Sequence, residues 1–307
     1  MNKRTLKKAI GAVGMVMFCM VTTITHAQEV DLFKKAEEEV NGADSNKTEL
    51  VEATFKSTRL ISGHAVETTK KGLLDFRIAH RFGFINQGLY ELFGLDNATE
   101  RMGFDYGITN RLMVGIGRST FQKQMDAFIK YKLLQQSHGK RNMPVTVSFM
   151  SGIIIKTLKE TDPTQKRTGS DKTSYVYQML IARKFNEKTS IQLMPTMVHF
   201  NLVPFSTDAN DRFSLGIGGR QKISKRISIN AEYYYQFNQF DGYSNALAFG
   251  VDIETGGHVF QLHFTNATGM TEPTFIHGST GKWKDGDIHF GFNISRVFNL
   301  RKKKKLS

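Results

Sequence analysis

Two histidines, His263 and His289, and two acids, Asp252 and Glu254, are of types that could begin a metal site. Imidazoles on neighbouring strands with a carboxylate at hand suit a first-row transition metal. If the connection between the two histidines turns near Ile276, they share one face and lie roughly opposite one another. The acids belong towards the far end of their own strand, so polar packing is preferred, and no metal or other cofactor is expected. His80 ends the stripe Leu74, Phe76 and Ile78, which puts it on an apolar face. A lone histidine there reads as an interfacial side chain. No Gly-x-Ser-x-Gly elbow occurs, and Ser and His are scattered, so a nucleophile, base and oxyanion donor cannot be assembled. An enzyme, lipid hydrolases included, is not expected.

The stronger constellation is ionic. Asp75, Arg77, Arg81, Arg101, Asp105, Lys130, Lys132, Lys156, Arg183, Glu232, Asp252 and Glu254 fall inside segments rich in large apolar residues. Mixed signs at such positions form either a salt-bridged filling or rings that select ions.

The elements that position them are strands. In "DIHFGFNISRVF", Ile288, Phe290, Phe292 and Ile294 alternate with His289, Gly291, Asn293 and Ser295. The same period of two runs through Met102, Phe104, Tyr106 and Ile108, and through Ile227, Ile229, Ala231, Tyr233, Tyr235 and Phe237. A sandwich would have to bury the charges or expose the aromatics, whereas a barrel in lipid with a polar lumen accommodates both. The reading is an all-β, transmembrane, antiparallel up-and-down barrel of about twelve strands. They are placed at 72–83, 99–108, 111–118, 124–134, 144–156, 173–185, 190–201, 212–222, 226–237, 245–254, 258–267 and 286–299. Phe290 and Phe292 then face lipid, and the ionic set faces the lumen with His263 and His289.

The connections carry an independent signal. Thr109-Asn110, "NEKT", "ISKR" and "TGG" are tight, while "GFINQGLYELFGLDN", "LKETDPTQKRTGSD" and "NATGMTEPTFIHGSTGKWKDGD" are long. Short turns at one end and long loops at the other fit an outer-membrane barrel with the short end and both termini periplasmic. Tyr175, Tyr177, Tyr233, Tyr235 and Phe237 gather near the long-loop rim, where an interfacial girdle belongs. A short amphipathic helix is expected near Gly88–Leu95, with Leu89, Leu92 and Phe93 as its apolar side.

The N-terminus has Lys3, Arg4, Lys7 and Lys8, an apolar run to Val21, and Thr25-His26-Ala27. It reads as a secretory signal peptide cleaved after Ala27, giving outer-membrane localisation. Cys19 is the sole cysteine, and bulky Phe18 before it disfavours a lipoprotein site, so the mature chain has no disulfide. The formal charge of +14 falls to +10 without the four basic residues of the signal. Half of the remainder is the tail Arg301 to Lys305, read as a solvated end drawn to acidic head groups. No recognition helix, zinc-ligand or phosphate-loop pattern accompanies these charges, so nucleic acid is not an expected partner. Residues 28–69 read as a periplasmic extension, part of which crosses the barrel mouth. The barrel proper is placed at 70–299, with a basic tail at 300–307.

"TFKSTRLISGHAVETTKKGLLDFRIAHRFG", "LFGLDNATERMGFDYGITNRLMVGIGRS" and "GDIHFGFNISRVF" resemble a family of Bacteroidota outer-membrane β-barrel proteins with no assigned activity. The resemblance runs from about Thr54 to Phe298 and implies a barrel and an outer-membrane location. It brings no site residues to transfer. The lysine tail departs from the pattern of a barrel ending at its terminal aromatic. The expected partners are outer-membrane lipid and lipopolysaccharide, the barrel-assembly machinery and a small solute. The functional expectation is a narrow or partly plugged passive channel for small hydrophilic solutes, with a mild anion preference from Arg77, Arg81, Arg101, Lys130, Lys132 and Arg183. The alternative is a non-conducting barrel whose outer loops bind a partner or envelope glycan.

Overall fold

The computed structural model describes residues 47–300 apart from 163, 165, 256 and 257. The signal peptide at 1–27, residues 28–46 of the extension, the Gly256-Gly257 turn and the tail at 301–307 lie outside the described residues.

Among the described residues, fourteen strands follow one another. They are β1 (Thr48–Leu50), β2 (Leu73–Phe84), β3 (Ala98–Gly107), β4 (Leu112–Ser119), β5 (Gln124–Leu134), β6 (Ser137–Gly139) and β7 (Thr146–Lys156). β8 (Thr173–Lys184), β9 (Thr189–Phe200), β10 (Asp211–Lys222), β11 (Ile227–Gln236), β12 (Ala246–Thr255), β13 (His258–Thr265) and β14 (His289–Asn299) complete the set. Twelve close into an antiparallel barrel, each paired with its neighbours and β14 with β2. β1 and β6 form a separate two-stranded sheet.

Local chemistry explains the tight ends. Thr109 Oγ1 accepts the N–H groups of Arg111 and Leu112 between β3 and β4. Asn186 Oδ1 accepts those of Lys188 and Thr189, and Ser224 Oγ those of Arg226 and Ile227. Such Asx and Ser/Thr turns reverse the chain without glycine. The closing seam carries a bulge, because the register slips between the His289–Phe84 and Gly291–Arg81 pairs. Across it Phe84 stacks on inward-facing His289 while Phe82 stacks outside on Phe290.

Outside, Phe104, Ile116, Ile217, Phe249 and Leu262 are exposed side chains of one apolar wall. A closed sheet leaves no strand edge, so the wall's backbone groups find their partners in neighbouring strands without water. The expected helix near Gly88–Leu95 is corrected. A 3-10 segment spans Leu89–Gly94, and Leu92 and Phe93 sit at positive φ within it. Leu89, Leu92 and Phe93 are therefore exposed without forming one helical stripe.

The connection from β13 to β14 turns inward. It contains the five-residue helix α1 (Glu272–Ile276), started by a Thr271–Thr274 capping box with proline in the first turn. All five of its residues are buried.

Candidate functional site

The lumen is the site, and period-two alternation builds its wall. Asp75, Arg77, Arg81, Arg101, Asp105, Lys130, Lys132, Glu232, Asp252, His263 and His289 all point inward and are buried. Glu254 is half-buried, ion-paired to Arg220 at 3.1 Å and to Lys56 at 3.0 Å. Arg183 is corrected. It shares parity with Tyr175 and Tyr177, so it lies on the exposed outer face with its guanidinium over Phe185.

The histidine pair is also revised in detail. His263 lies opposite Gly291, and His289 lies opposite Thr265, so the two are diagonal neighbours. His289 is engaged on both nitrogens, by the Phe82 carbonyl at 2.7 Å and the Thr268 hydroxyl at 2.8 Å. His80 is outside, stacked on Phe292.

Further inward charges were not foreseen. Asp126 receives Arg101 in a two-point ion pair, Nε at 2.9 Å from Oδ1. Arg212 caps Phe240 at 3.7 Å and pairs with Asp208, while Arg220 meets Glu254. Parity could have found the arginines, since Arg212, Gly218 and Arg220 alternate with Phe213 and Ile217.

The lumen is not open water. Residues 54–69, read as part of an extension that crosses the mouth, enter the barrel as a hairpin finger. Ala65 N–H donates to the Thr58 carbonyl at 3.0 Å and Leu60 N–H to the Gly63 carbonyl at 2.9 Å, leaving Ile61 and Ser62 as the tip. Every residue from 58 to 66 is buried.

The wall grips this finger by its backbone. Glu232 accepts three successive tip N–H groups, from Ile61 at 3.2 Å, Ser62 at 2.7 Å and Gly63 at 3.1 Å. Lys130 donates to the Thr58 carbonyl at 3.1 Å and the Ala65 carbonyl at 2.9 Å. Gln192 takes the Val66 N–H and gives to the His64 carbonyl, at 2.8 and 2.7 Å. Gln261 and Asn293 donate to the carbonyls of Leu60 and Ile61. Thr58 donates to Asp105 at 3.0 Å, and Ser57 receives Arg77. On its other side the finger packs Phe55, Leu60, Ala65 and Val66 with Leu180, Met194 and Phe275. Gly63 fits under Tyr234 because a Cβ there would overlap the tyrosine hydroxyl.

The inward loop meets the finger from the other side. Arg59 pairs with Glu272 of α1 at 3.2 Å and also donates to the Ser62 carbonyl. His64 Nε2 is 3.5 Å from the same carboxylate, and Lys130 Nζ is 3.4 Å from His64 Nδ1. Arg81 spans both parts, donating to Ser62 Oγ at 2.8 Å and to the Gly269 carbonyl at 3.3 Å. Burial first, then the charges of Arg59 and Lys130, hold the His64 pKa well below the ordinary value. Burial raises that of Glu272, with Arg59 opposing.

This is the architecture of a membrane-spanning β-barrel whose polar lumen is filled from within its own chain. The chain belongs to the family of membrane-bound β-barrel domains designated DUF5777, whose profile matches residues 55–298. The match begins inside the finger, so finger and barrel are one unit of the family. No curated protein matches the chain. Among solved structures, the NanC porin is similar at 11% identity over 73% of this chain and 98% of its own, with a TM-score of 0.45. The KdgM porin in complex with disordered oligogalacturonate gives 9%, 74%, 99% and 0.44 on the same measures. An outer-membrane channel from Pseudomonas putida F1 gives 12%, 76%, 98% and 0.43. Likeness at this level says nothing of the lumen's chemistry.

Proposed function

We propose that the protein is an outer-membrane channel for small hydrophilic solutes, closed at rest by the finger at 54–69 and the inward loop. The observation that supports it most is the finger's attachment to a charged wall, largely through reversible hydrogen bonds. A barrel needing only a solid core would be filled more cheaply by apolar side chains, because each buried charge must be paired and hydrogen-bonded. Here Asp75 Oδ1, Arg77 Nε, Arg81 Nε and both nitrogens of His263 lack a protein partner. A wall of that kind suits water and solute once the finger withdraws. With Arg183 outside and Arg212, Arg220 and Asp126 inside, the two signs nearly balance, so only weak ion preference is expected. The secretory leader supports the outer-membrane setting.

The reading gives a pH dependence with a definite sign. Docked His64 is held neutral, whereas a released His64 in water titrates at the ordinary value near 6.5. Release therefore takes up a proton, and docking, fully effective above about pH 6.5, weakens roughly 10-fold per pH unit below it. Glu272 works the other way, since burial raises its pKa while docked and so favours the docked state in acid, which leaves His64 as the group that carries the response. Planar-bilayer recording of the intact chain should show a closed barrel at pH 7.5 that conducts increasingly towards pH 5, with His64→Gln flattening the response. A barrel that stays silent at pH 5, and also when its tip is freed by mutation, would end the channel reading. The exposed Leu89 and Tyr90 favour a second reading, a non-conducting barrel whose outer loops bind a partner.

A further inference from the structure

Above the inward loop the lumen widens into a cavity of about 280 Å³, walled by the loop ends of β5, β7, β8 and β9. Its two sides differ in chemistry.

One side is ionic. Lys156 and Arg167 line it, and neither makes an ion pair among the described residues. Lys172 does, to Glu160 at 3.2 Å. Asp171 also lines the cavity and accepts the Thr168 N–H at 2.8 Å. With Lys156, Arg167 and Lys172 against Glu160 and Asp171, the lining carries one excess positive charge.

The other side is aromatic. Phe200 and Phe240 meet edge to face at 5.6 Å, Tyr243 adjoins Phe240 at 5.9 Å, and the His277 ring stands 6.1 Å from Phe200. His277 lies just after α1 and is buried. Its Nδ1 is 2.9 Å from Gln236 Oε1, while the Gln236 amide nitrogen is spent on the Ser244 carbonyl. Gln236 Oε1 is therefore an acceptor, which puts the imidazole proton on Nδ1 and leaves Nε2 as a lone-pair acceptor. Nε2 has no partner in the protein. Burial, helped by Arg212, lowers the His277 pKa to about 3, so the ring stays neutral.

We infer that this vestibule binds a small organic carboxylate. Lys156 and Arg167 take the carboxylate, and the carbon frame lies against Phe200, Phe240 and Tyr243, beside the neutral His277 ring. Small-molecule sites generally combine such an apolar wall with a few convergent polar groups. The ligand would rest on the loop that latches the finger through Glu272. Its role as captured solute rests on the channel reading, but its binding does not.

The test is calorimetric titration of the purified full-length barrel in detergent, with gluconate as probe and glucose as its uncharged counterpart. Gluconate should bind, and glucose at least 10-fold more weakly. Lys156→Gln and Arg167→Gln should each weaken gluconate about 10-fold while leaving heat-modifiable gel mobility, the mark of a folded barrel, unchanged. Equal affinity for the two probes, no gluconate binding in the millimolar range, or two folded variants that bind as the parent does would overturn the assignment. Gluconate binding by a barrel that never conducts would sustain this site and remove only the channel; conduction without gluconate binding would do the reverse.

Discussion

Replacing Glu232 with alanine is expected to free the finger and leave the barrel standing. One carboxylate serves the N–H groups of Ile61, Ser62 and Gly63, and its removal strands three buried donors at once. Stranded buried donors cost about 1–3 kcal/mol each, which puts the loss of docking on the order of 4 kcal/mol. That corresponds to a shift of roughly 1,000-fold in the docking equilibrium. Ser62→Cys, introduced into parent and variant, should report it as faster labelling by a soluble maleimide. Because the mature chain as read from the sequence lacks cysteine, the signal belongs to one position. Glu232→Gln, which retains one acceptor oxygen, should fall between the two. Heat-modifiable mobility should be retained throughout, since Glu232 lies on the lumen side of β11 and the interstrand ladder is untouched.

The second large effect lies on the opposite face. Ile217 sits in the middle of β10, outward and exposed, between Leu193 of β9 and Tyr233 of β11. Arginine there meets the bilayer midplane and should cost about 2–4 kcal/mol, whereas near an interface the cost falls to about 0–1 kcal/mol. Ile223→Arg, in the tight turn after β10, is the matching control. Urea titration of the barrel refolded into lipid vesicles should show a large loss of stability for Ile217→Arg and little for Ile223→Arg. Equal tolerance would place this face in water.

The wall was legible because it obeys a rule local in sequence. Asp75, Arg77 and Arg81 alternate with Phe76, Ile78 and His80, and closure turns that parity into inside and outside. Arg183 shows how the same rule guards against error. Its parity matches Tyr175 and Tyr177, and the charge on its side chain, which drew it into the lumen set, says nothing about direction.

Beyond the expectation of a partly plugged barrel with part of residues 28–69 crossing its mouth, how the lumen is filled was not legible, for a physical reason. The finger has no period, because its backbone is satisfied by side chains from distant strands, Glu232 and Lys130 among them, and not by a continuing ladder. The tip's partners lie up to 232 residues away in sequence, as with Asn293 and Ile61. One local signal stood in the inward loop. "TEPT" carries the threonine pair and proline of a helix start, and a helix so short has little reason to form unless it is packed against something.

The account turns on the finger as the closure of the lumen, and a reversible tether addresses that directly. In a Glu232→Ala background, Thr58→Cys and Asp105→Cys replace side chains now in hydrogen-bond contact across the finger and β3. A short reducible bismaleimide should link them while the finger is docked. In a planar bilayer at pH 7.5, the linked barrel should be silent, and reducing the linker should restore the current of the unlinked protein. A current indifferent to the linker, or absent before and after reduction, would show that the finger at 54–69 is not the gate.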